Sequence, residues 1–320
     1  MKAGLDIGYN MTKIVGGNPP KTASFPSVTG TPDRSSFALG DTSGIYLEQP
    51  QAVAVGDVAI EQSRITRRRE DRGWIESDEW YLLAMAALTE MTTGNTRFDI
   101  VTGLPVAFFS DKEKVVEKLM GYHQVKRDGR RGQGLTVDSV RVIPQPFGTL
   151  LDVCLNNQGK VVDLALAQGR VGVIDCGGKT CNILAVNRLA EISRETASVN
   201  VGGWTAAKML SRDLAERCPN LDLRPHEVTQ AIIEKSVIYY GEKVDLSEPV
   251  DEILKSLAAQ VVAEATQVWN GAAELSAVLV SGGGALLLGE HIREHFRHAR
   301  VVGDPVMANA RGFWKLAMRG

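Results

Sequence analysis

Leu5-Asp6-Ile7-Gly8-Tyr9-Asn10-Met11-Thr12-Lys13-Ile14-Val15 and Ile174-Asp175-Cys176-Gly177-Gly178-Lys179-Thr180-Cys181-Asn182-Ile183-Leu184 follow one plan. An apolar strand ends on an aspartate, a glycine turn follows, and a second apolar strand returns through a threonine. Both stretches carry the signature of a β-hairpin. A carboxylate at the end of a buried strand, beside a tight turn, offers a partner for a divalent metal and a backbone cradle for phosphate. Either hairpin alone is also explained as an ordinary turn that happens to hold an aspartate. The repetition marks two related halves. Two such hairpins facing each other across a cleft would clamp a polyphosphate, with Asp6 and Asp175 directed at a hydrated Mg²⁺.

Outward from the hairpins, strands and helices alternate. Trp80, Leu83, Ala84, Ala87, Leu88 and Met91 recur at helical spacing over 78–93, behind Ser77 or Asp78 as a cap. Residues 98–104 read as a strand and 111–120 as a helix capped by Ser110 or Asp111. A strand over 137–143 closes on Pro144-Gln145-Pro146, and a helix over 147–156 ends in Asn157-Gln158-Gly159. Later helices cover 204–217 and 251–269, and a final one bears Phe313, Trp314 and Leu316. The pattern is that of an α/β protein with two lobes. Residues 1–150 with 305–320 form the first, carrying a loop-rich peripheral subdomain at about 26–75, and 151–304 form the second.

Two further glycine clusters could approach a ligand. Ser281-Gly282-Gly283-Gly284 follows the apolar run Val278-Leu279-Val280, and no Cβ would keep a flat ligand from the backbone there; a plain strand-to-helix turn explains it too. Gly202-Gly203 precedes a helix whose N-terminus favours ribose or phosphate oxygens. Gly178-Lys179-Thr180 matches the end of a Walker A loop, but the register fails. Val173 stands where the first glycine is required, and Cys181–Val186 reads as strand where a helix is required.

The 320 residues are 44% hydrophobic, enough for two domains with substantial cores. Thirty-six basic and thirty-eight acidic residues leave a net charge of −2, so bulk electrostatics favour neither nucleic acid nor anionic membrane. No apolar run of spanning length and no signal-peptide pattern is present, and a cytoplasmic protein with no membrane association is expected. Cys154, Cys176, Cys181 and Cys218 lack paired metal spacing and read as reduced thiols. His291, His295 and His298, interleaved with arginine and glutamate, fit a solvated helical face better than a zinc site. The basic runs at 64–72 and 126–131 fit charged surface loops, since acidic residues interrupt the first and no aromatics interleave.

The order of the Asp6 hairpin, Gln145-Pro146-Phe147-Gly148, the Asp175 hairpin, Gly202-Gly203, Gly282-Gly283-Gly284 and Asp304-Pro305 through Gly312 resembles the phosphate, connecting and adenosine elements of the actin/Hsp70/sugar-kinase ATPase superfamily. Thr102-Gly103-Leu104-Pro105 and Ala308-Asn309-Ala310-Arg311-Gly312 are similar to the plasmid-segregation actins of the ParM/StbA kind. The resemblance spans nearly the whole chain and implies an actin-like, ribonuclease H-like fold with two α/β domains around a nucleotide cleft. It implies ATP or GTP with Mg²⁺ as ligands, with Asp6 and Asp175 holding the metal through water. Gly8, Tyr9, Asn10, Thr12 and Lys13 would line the first phosphate turn, and Gly177, Gly178, Lys179 and Thr180 the second. Gly202, Gly203, Gly282, Gly283 and Gly284 would border the nucleoside, with Glu234 and Lys235 on the adenine side. Gln145 would orient the attacking water; a polar residue capping its helix is the alternative. The implied activity is nucleotide hydrolysis coupled to head-to-tail polymerisation, serving DNA segregation through a DNA-binding adaptor, with DNA touched only indirectly. A non-polymerising nucleotide-gated scaffold and a small-molecule kinase of the same fold stay open.

Overall fold

Strand β1 (Lys2–Ile7) is buried along nearly its whole length, as a strand covered on both faces must be. It turns at Gly8 into β2 (Met11–Gly16), which is followed by β3 (Lys21–Pro26), an antiparallel meander. The computed structural model describes residues 1–32, 44–49, 51–67, 72–128 and 132–320. Next come β4 (Thr29–Pro32), β5 (Ile45–Gln49), β6 (Gln51–Val55), the short helix α1 (Asp57–Gln62) and β7 (Ser63–Arg67). Their strands form a separate sheet in the order β5-β6-β4-β7 over a small core of Val28, Ala54, Val58 and Ala59. The region expected to be loop-rich is therefore a small sheet whose glycines and prolines punctuate short strands.

Helix α2 (Asp78–Met91) starts where expected, with the Ser77 hydroxyl accepting from the Trp80 N–H. After β8 (Thr96–Leu104) comes α3 (Lys112–Leu119), where Asp111 holds the cap position without a side-chain cap bond and pairs with Lys114 at 3.5 Å. Then follow β9 (Gly121–Val125), β10 (Gln133–Pro144) and α4 (Gln145–Cys154). The large sheet has the order β3-β2-β1-β8-β10-β9, and β1, β8 and β10 run parallel. Their C-terminal ends thus share one edge, the edge at which open α/β sheets receive ligands.

The C-terminal helix Ala308–Arg319 completes this unit. Glycines let it sit directly on backbone: a Cβ at Gly312 would overlap the Gly148 carbonyl on α4, and one at Gly4 would overlap the Ala310 carbonyl and the Trp314 nitrogen. Polar contacts fix the crossing. Asn309 Oδ1 accepts from the Thr149 N–H at 3.1 Å and hydroxyl at 2.8 Å. Asp152 pairs with Arg311 at 2.7 Å and Lys315 at 2.8 Å. Phe313 is fully buried, and Trp314 Nε1 donates to the Gly17 carbonyl at 3.1 Å.

The compact units are Met1–Val162 with Asn309–Gly320, and Asp163–Ala308. The first crossing falls later than residue 150 because the chain after α4 folds back on itself: Asn156 N–H donates to Lys160 O at 2.9 Å and Val162 N–H to Cys154 O at 2.8 Å. In the second unit α5 (Leu164–Gln168) precedes β11 (Arg170–Cys176), β12 (Cys181–Asn187), β13 (Ala190–Glu191) and β14 (Ala197–Val199). Helices α6 (Gly203–Arg217) and α7 (Pro225–Glu234), the hairpin β15 (Ser236–Tyr239) and β16 (Glu242–Asp245), and α8 (Ser247–Val268) lead to β17 (Ala277–Ser281), α9 (Ala285–His295) and β18 (Ala299–Val301). The sheet order β13-β12-β11-β17-β18 repeats the β2-β1-β8-β10 plan of the first unit, an antiparallel hairpin continued by parallel strands. Leu210, Leu257, Val261 and Ile292 pack the core beneath its helices. Among the described residues no helix is long and apolar enough to cross a membrane.

Because Gly312 meets the Gly148 carbonyl, Gly312→Ala should cost roughly 1–3 kcal/mol or more, at about 2–4 °C in Tm per kcal/mol for a protein of this size. Gly94→Ala, where a Cβ meets nothing within 4 Å, should stay within roughly 0.5 kcal/mol. Thermal unfolding of both variants checks this, and equal Tm values would refute the close crossing.

Candidate functional site

Asp6 and Lys13 are directly opposite across the β1–β2 hairpin. Their side chains meet as a buried ion pair, with Lys13 Nζ 2.8 Å from Asp6 Oδ2. The other carboxylate oxygen, Oδ1, accepts from Gln145 Nε2 at 2.5 Å. Asp6 is completely buried, and Lys13 and Gln145 are each 9% exposed, so the three form one enclosed polar cluster. Helix capping does not account for Gln145: Pro144 holds the cap position, and the Gln145 amide goes to Asp6. Charge-assisted hydrogen bonds of this kind are among the strongest a fold contains. Gly103, at the end of β8, makes room for the cluster, since a Cβ there would lie 3.0 Å from the Gln145 Cα and would strike the Phe313 ring.

The turn itself is braced from within. Gly8 N–H donates to Met11 O at 3.1 Å, and Ser27 Oγ donates to Gly8 O at 2.6 Å. Thr12 is fully buried with its hydroxyl 2.9 Å from that of Ser27, so it supports the turn rather than lining its outer side. Tyr9 packs against Trp74 with ring centroids 5.8 Å apart. Asn10 O accepts from the Ser27 N–H at 2.9 Å. Lys13, expected to reach phosphate, is held by Asp6.

In the second unit Asp175 ends β11, opposite Asn182 on β12 and Ser281 on β17, and is 4% exposed. Gly177 N–H closes the turn onto Thr180 O at 2.8 Å. The other two glycine clusters converge on this turn. Gly203 N–H reaches Gly177 O at 3.3 Å, Trp204 N–H reaches Gly178 O at 2.8 Å, and Gly284 N–H reaches Cys176 O at 2.7 Å. Gly282 has φ +83° and a Cβ there would lie 2.5 Å from Asp175 Oδ1, while a Cβ at Gly202 would overlap the Gly178 carbonyl. A Cβ at Gly203 or Gly283 would meet nothing within 4 Å. The three segments thus make a backbone floor, tight beneath and open above, of the kind that admits phosphate or a flat ring. Strand β12, not a helix, follows Lys179-Thr180, as the failed Walker register requires. Cys176 and Cys181 face each other under the turn; their mutual hydrogen bond and burial push the Cys176 thiol well above its usual range, which leaves it unreactive.

Glu234 and Lys235 stand at the end of α7. Glu234 accepts from Gln230 Nε2 at 2.5 Å, and Lys235, with φ 49°, pairs with Asp251 at 2.7 Å and holds that carboxyl below its usual range. Their bonds run along α7 and to α8 rather than to the glycine floor. Helix α9 stops at His295, so His298 lies in the turn beyond it, and among the described residues no group of three or more His, Cys, Asp or Glu could cage a metal. Of the basic runs, residues 68–71 and 129–131 lie outside the described residues. Lys126 pairs with Glu48 and Arg127 with Glu90, which fits a charge-balanced surface.

A family model for the N-terminal domain of actin-like proteins matches residues 4–148, and one for the C-terminal domain of the archaeal MreB-like actin homologue matches residues 173–294. Among solved structures, the archaeal actin homologue Ta0583 superposes with TM-score 0.85 at 23% identity, over 100% of this chain and 99% of that one. The complex of that homologue with ADP gives 0.83 at 22%, over 100% of both chains. ParM in a 15-stranded filament from Clostridium botulinum gives 0.81 at 19%, over 99% of this chain and 98% of that one. No curated protein matches the sequence.

Lys13→Met would leave the Asp6 carboxylate buried without its counter-charge, and breaking such a pair costs about 3–5 kcal/mol. The double variant Asp6→Asn/Lys13→Met removes both charges and should recover most of that loss. Denaturant unfolding of the nucleotide-free protein compares the two, and an unperturbed Lys13→Met would show that the pair does not hold the carboxylate.

Proposed function

Built from an actin-like N-terminal domain and an MreB-like C-terminal domain, the chain is an actin-like protein, and we propose that it is a nucleoside triphosphatase whose nucleotide-bound form assembles head to tail into filaments. The observation that carries this reading is the matched placement of Asp6 and Asp175. Each lies at the end of the central strand of its own sheet, on the side continued by parallel strands: Gln145 follows β10, one strand beyond β8, and the Gly282–Gly284 turn follows the adjacent β17. Asp175 would act on the same polyphosphate as Asp6, with the glycine floor carrying phosphates and nucleoside. The chemistry of Asp6 and of Asp175 suits Mg²⁺ held through water: each is a hard carboxylate, Asp6 already engaged by Lys13 and Gln145, and among the described residues there is no protein cage, as where substrate phosphates complete the shell. Bound Mg²⁺ would supply neutralisation of phosphate charge, with Asp6 and Asp175 as the residues that would hold it through water. Gln145 would orient the attacking water by hydrogen bonds without acting as a strong base. A small-molecule kinase of this fold would need a carboxylate base at the acceptor-hydroxyl site, whereas Gln145 would take the place that orients water.

The ADP complex of the archaeal homologue and the ParM filament support nucleotide binding and self-association as the reading. ATP is the proposed nucleotide, with GTP as the alternative. The cargo would be DNA held through a DNA-binding adaptor. A heterologous interface that does not close into a ring generates such a polymer.

Light scattering of the purified protein should rise with Mg²⁺-ATP or Mg²⁺-GTP and decay as phosphate is released. Asp6→Ala and Asp175→Ala should each weaken Mg²⁺-nucleotide binding and with it assembly. Gln145→Ala should bind nucleotide and polymerise, yet release phosphate slower by about tenfold or more, so its filaments persist. Absence of any nucleotide-dependent scattering would refute the filament reading, and normal phosphate release by Gln145→Ala would remove that residue from catalysis.

A further inference from the structure

We propose that Asp6 acts on hydrolysis through Gln145, as the positioning residue that decides which end of the Gln145 amide is presented to the nucleotide. The inference rests on the hydrolase reading above and adds to it a task for Asp6 separate from any metal contact.

An ionised carboxylate only accepts hydrogen bonds, whereas an amide has a donating and an accepting end. At 2.5 Å from Asp6 Oδ1, Gln145 must therefore face it with Nε2. The reversed amide would set oxygen against oxygen in a site where Asp6 is fully buried and Gln145 nearly so. Oε1 is thereby turned away from Asp6. That orientation is the one hydrolysis needs: an attacking water aims a lone pair at phosphorus and points an O–H at an acceptor, a hydrogen bond that an amide oxygen can accept and an amide nitrogen cannot. As the new P–O bond forms and the bond to the leaving diphosphate breaks, the proton itself passes to a phosphate oxygen.

Asp6 is itself held so that it can set the amide. Lys13 Nζ occupies Oδ2 at 2.8 Å from the directly opposite position of the hairpin, which leaves Oδ1 for Gln145. The strand beneath is pinned where Thr102 Oγ1 donates to Leu5 O at 2.7 Å. Gln145 is the first residue of α4 and follows the last of β10, so its backbone is set by sheet and helix together. Lys13 also makes the arrangement sensitive to a single atom change. In Asp6→Asn the lysine keeps an oxygen facing it, so the Asn NH₂ turns toward Gln145. Gln145 must then turn its own oxygen toward the Asn, and its NH₂ faces the water.

Asp6→Asn should consequently lower kcat at saturating Mg²⁺-nucleotide by about tenfold or more, and should have no further effect on kcat when Gln145 is already alanine. A loss that runs through a metal contact, in KM or in kcat, appears in both backgrounds, whereas a loss that runs through the amide appears only where Gln145 is present. In nucleotide-free, ¹⁵N-labelled protein the side-chain amide signal that disappears in Gln145→Ala should shift in Asp6→Asn. If Asp6→Asn does not fold, Asp6→Ala/Lys13→Met, which removes both buried charges and the acceptor that fixes the amide, takes its place in the same comparison. Losses in kcat that multiply in the double variant, or a Gln145 amide signal unmoved by the change at position 6, overturn the proposal. A wild-type protein that turns over no nucleotide overturns the hydrolase reading and this inference together, an outcome told apart by the missing wild-type rate.

Discussion

The backbone-to-backbone contact between Gly148 on α4 and Gly312 on the C-terminal helix is the constraint on which the first unit depends. Two helices can approach this closely only where neither carries a side chain, and the approach brings Phe313 under Gly103 and Gln145 over the end of β1. A wider crossing would move α4 outward, and the Gln145 amide would leave Asp6. The Asp152 pairs with Arg311 and Lys315 hold the crossing from its polar side. With Asp152 8% exposed and both cations less than a quarter exposed, these pairs are shielded more than ordinary surface bridges.

The two sheets share a plan but use their aspartates differently. In the first unit Asp6 is closed in by a cation and an amide and makes a rigid polar cluster. In the second, Asp175 lies beside a floor of glycines joined through backbone N–H and C=O groups. One half is built to hold specific side-chain chemistry and the other to let a ligand lie against main chain. A duplicated architecture with divided labour follows from which positions after the aspartate accepted glycine.

Much of this was legible in residue order. The paired hairpins disclosed two α/β units, and the apolar spacing of α2 and α8 located core helices. Among the described residues of 26–75, composition rich in glycine, proline and serine concealed four strands of four or five residues. Gln145 stood out as polar between two prolines, but its partner lies 139 residues away and no local pattern discloses a contact across three strands. The Asp6–Lys13 pair was within reach, because residues equidistant from a hairpin turn face each other. The likeness to a phosphate turn drew attention outward to a ligand and away from the neighbouring strand. Thr12 was misplaced for the same reason: alternation along β2 sends it inward to Ser27.

The first unit is made from both ends of the chain, and this sets an order of events during synthesis. Residues 163–308 are contiguous and can finish their own core as they leave the ribosome, since domains generally fold as units from the N-terminal side. The sheet around β1 must wait, for Gly4, Gly17 and Gly103 are covered only when the helix bearing Phe313 and Trp314 arrives. A chain interrupted before that helix would carry a finished second unit beside a sheet with its apolar back uncovered. Gln145 would then have no firm seat. The contact between Gln145 and Asp6 is thereby deferred until residues 309–320 have been made, so an interrupted copy lacks the polar cluster that a complete one carries.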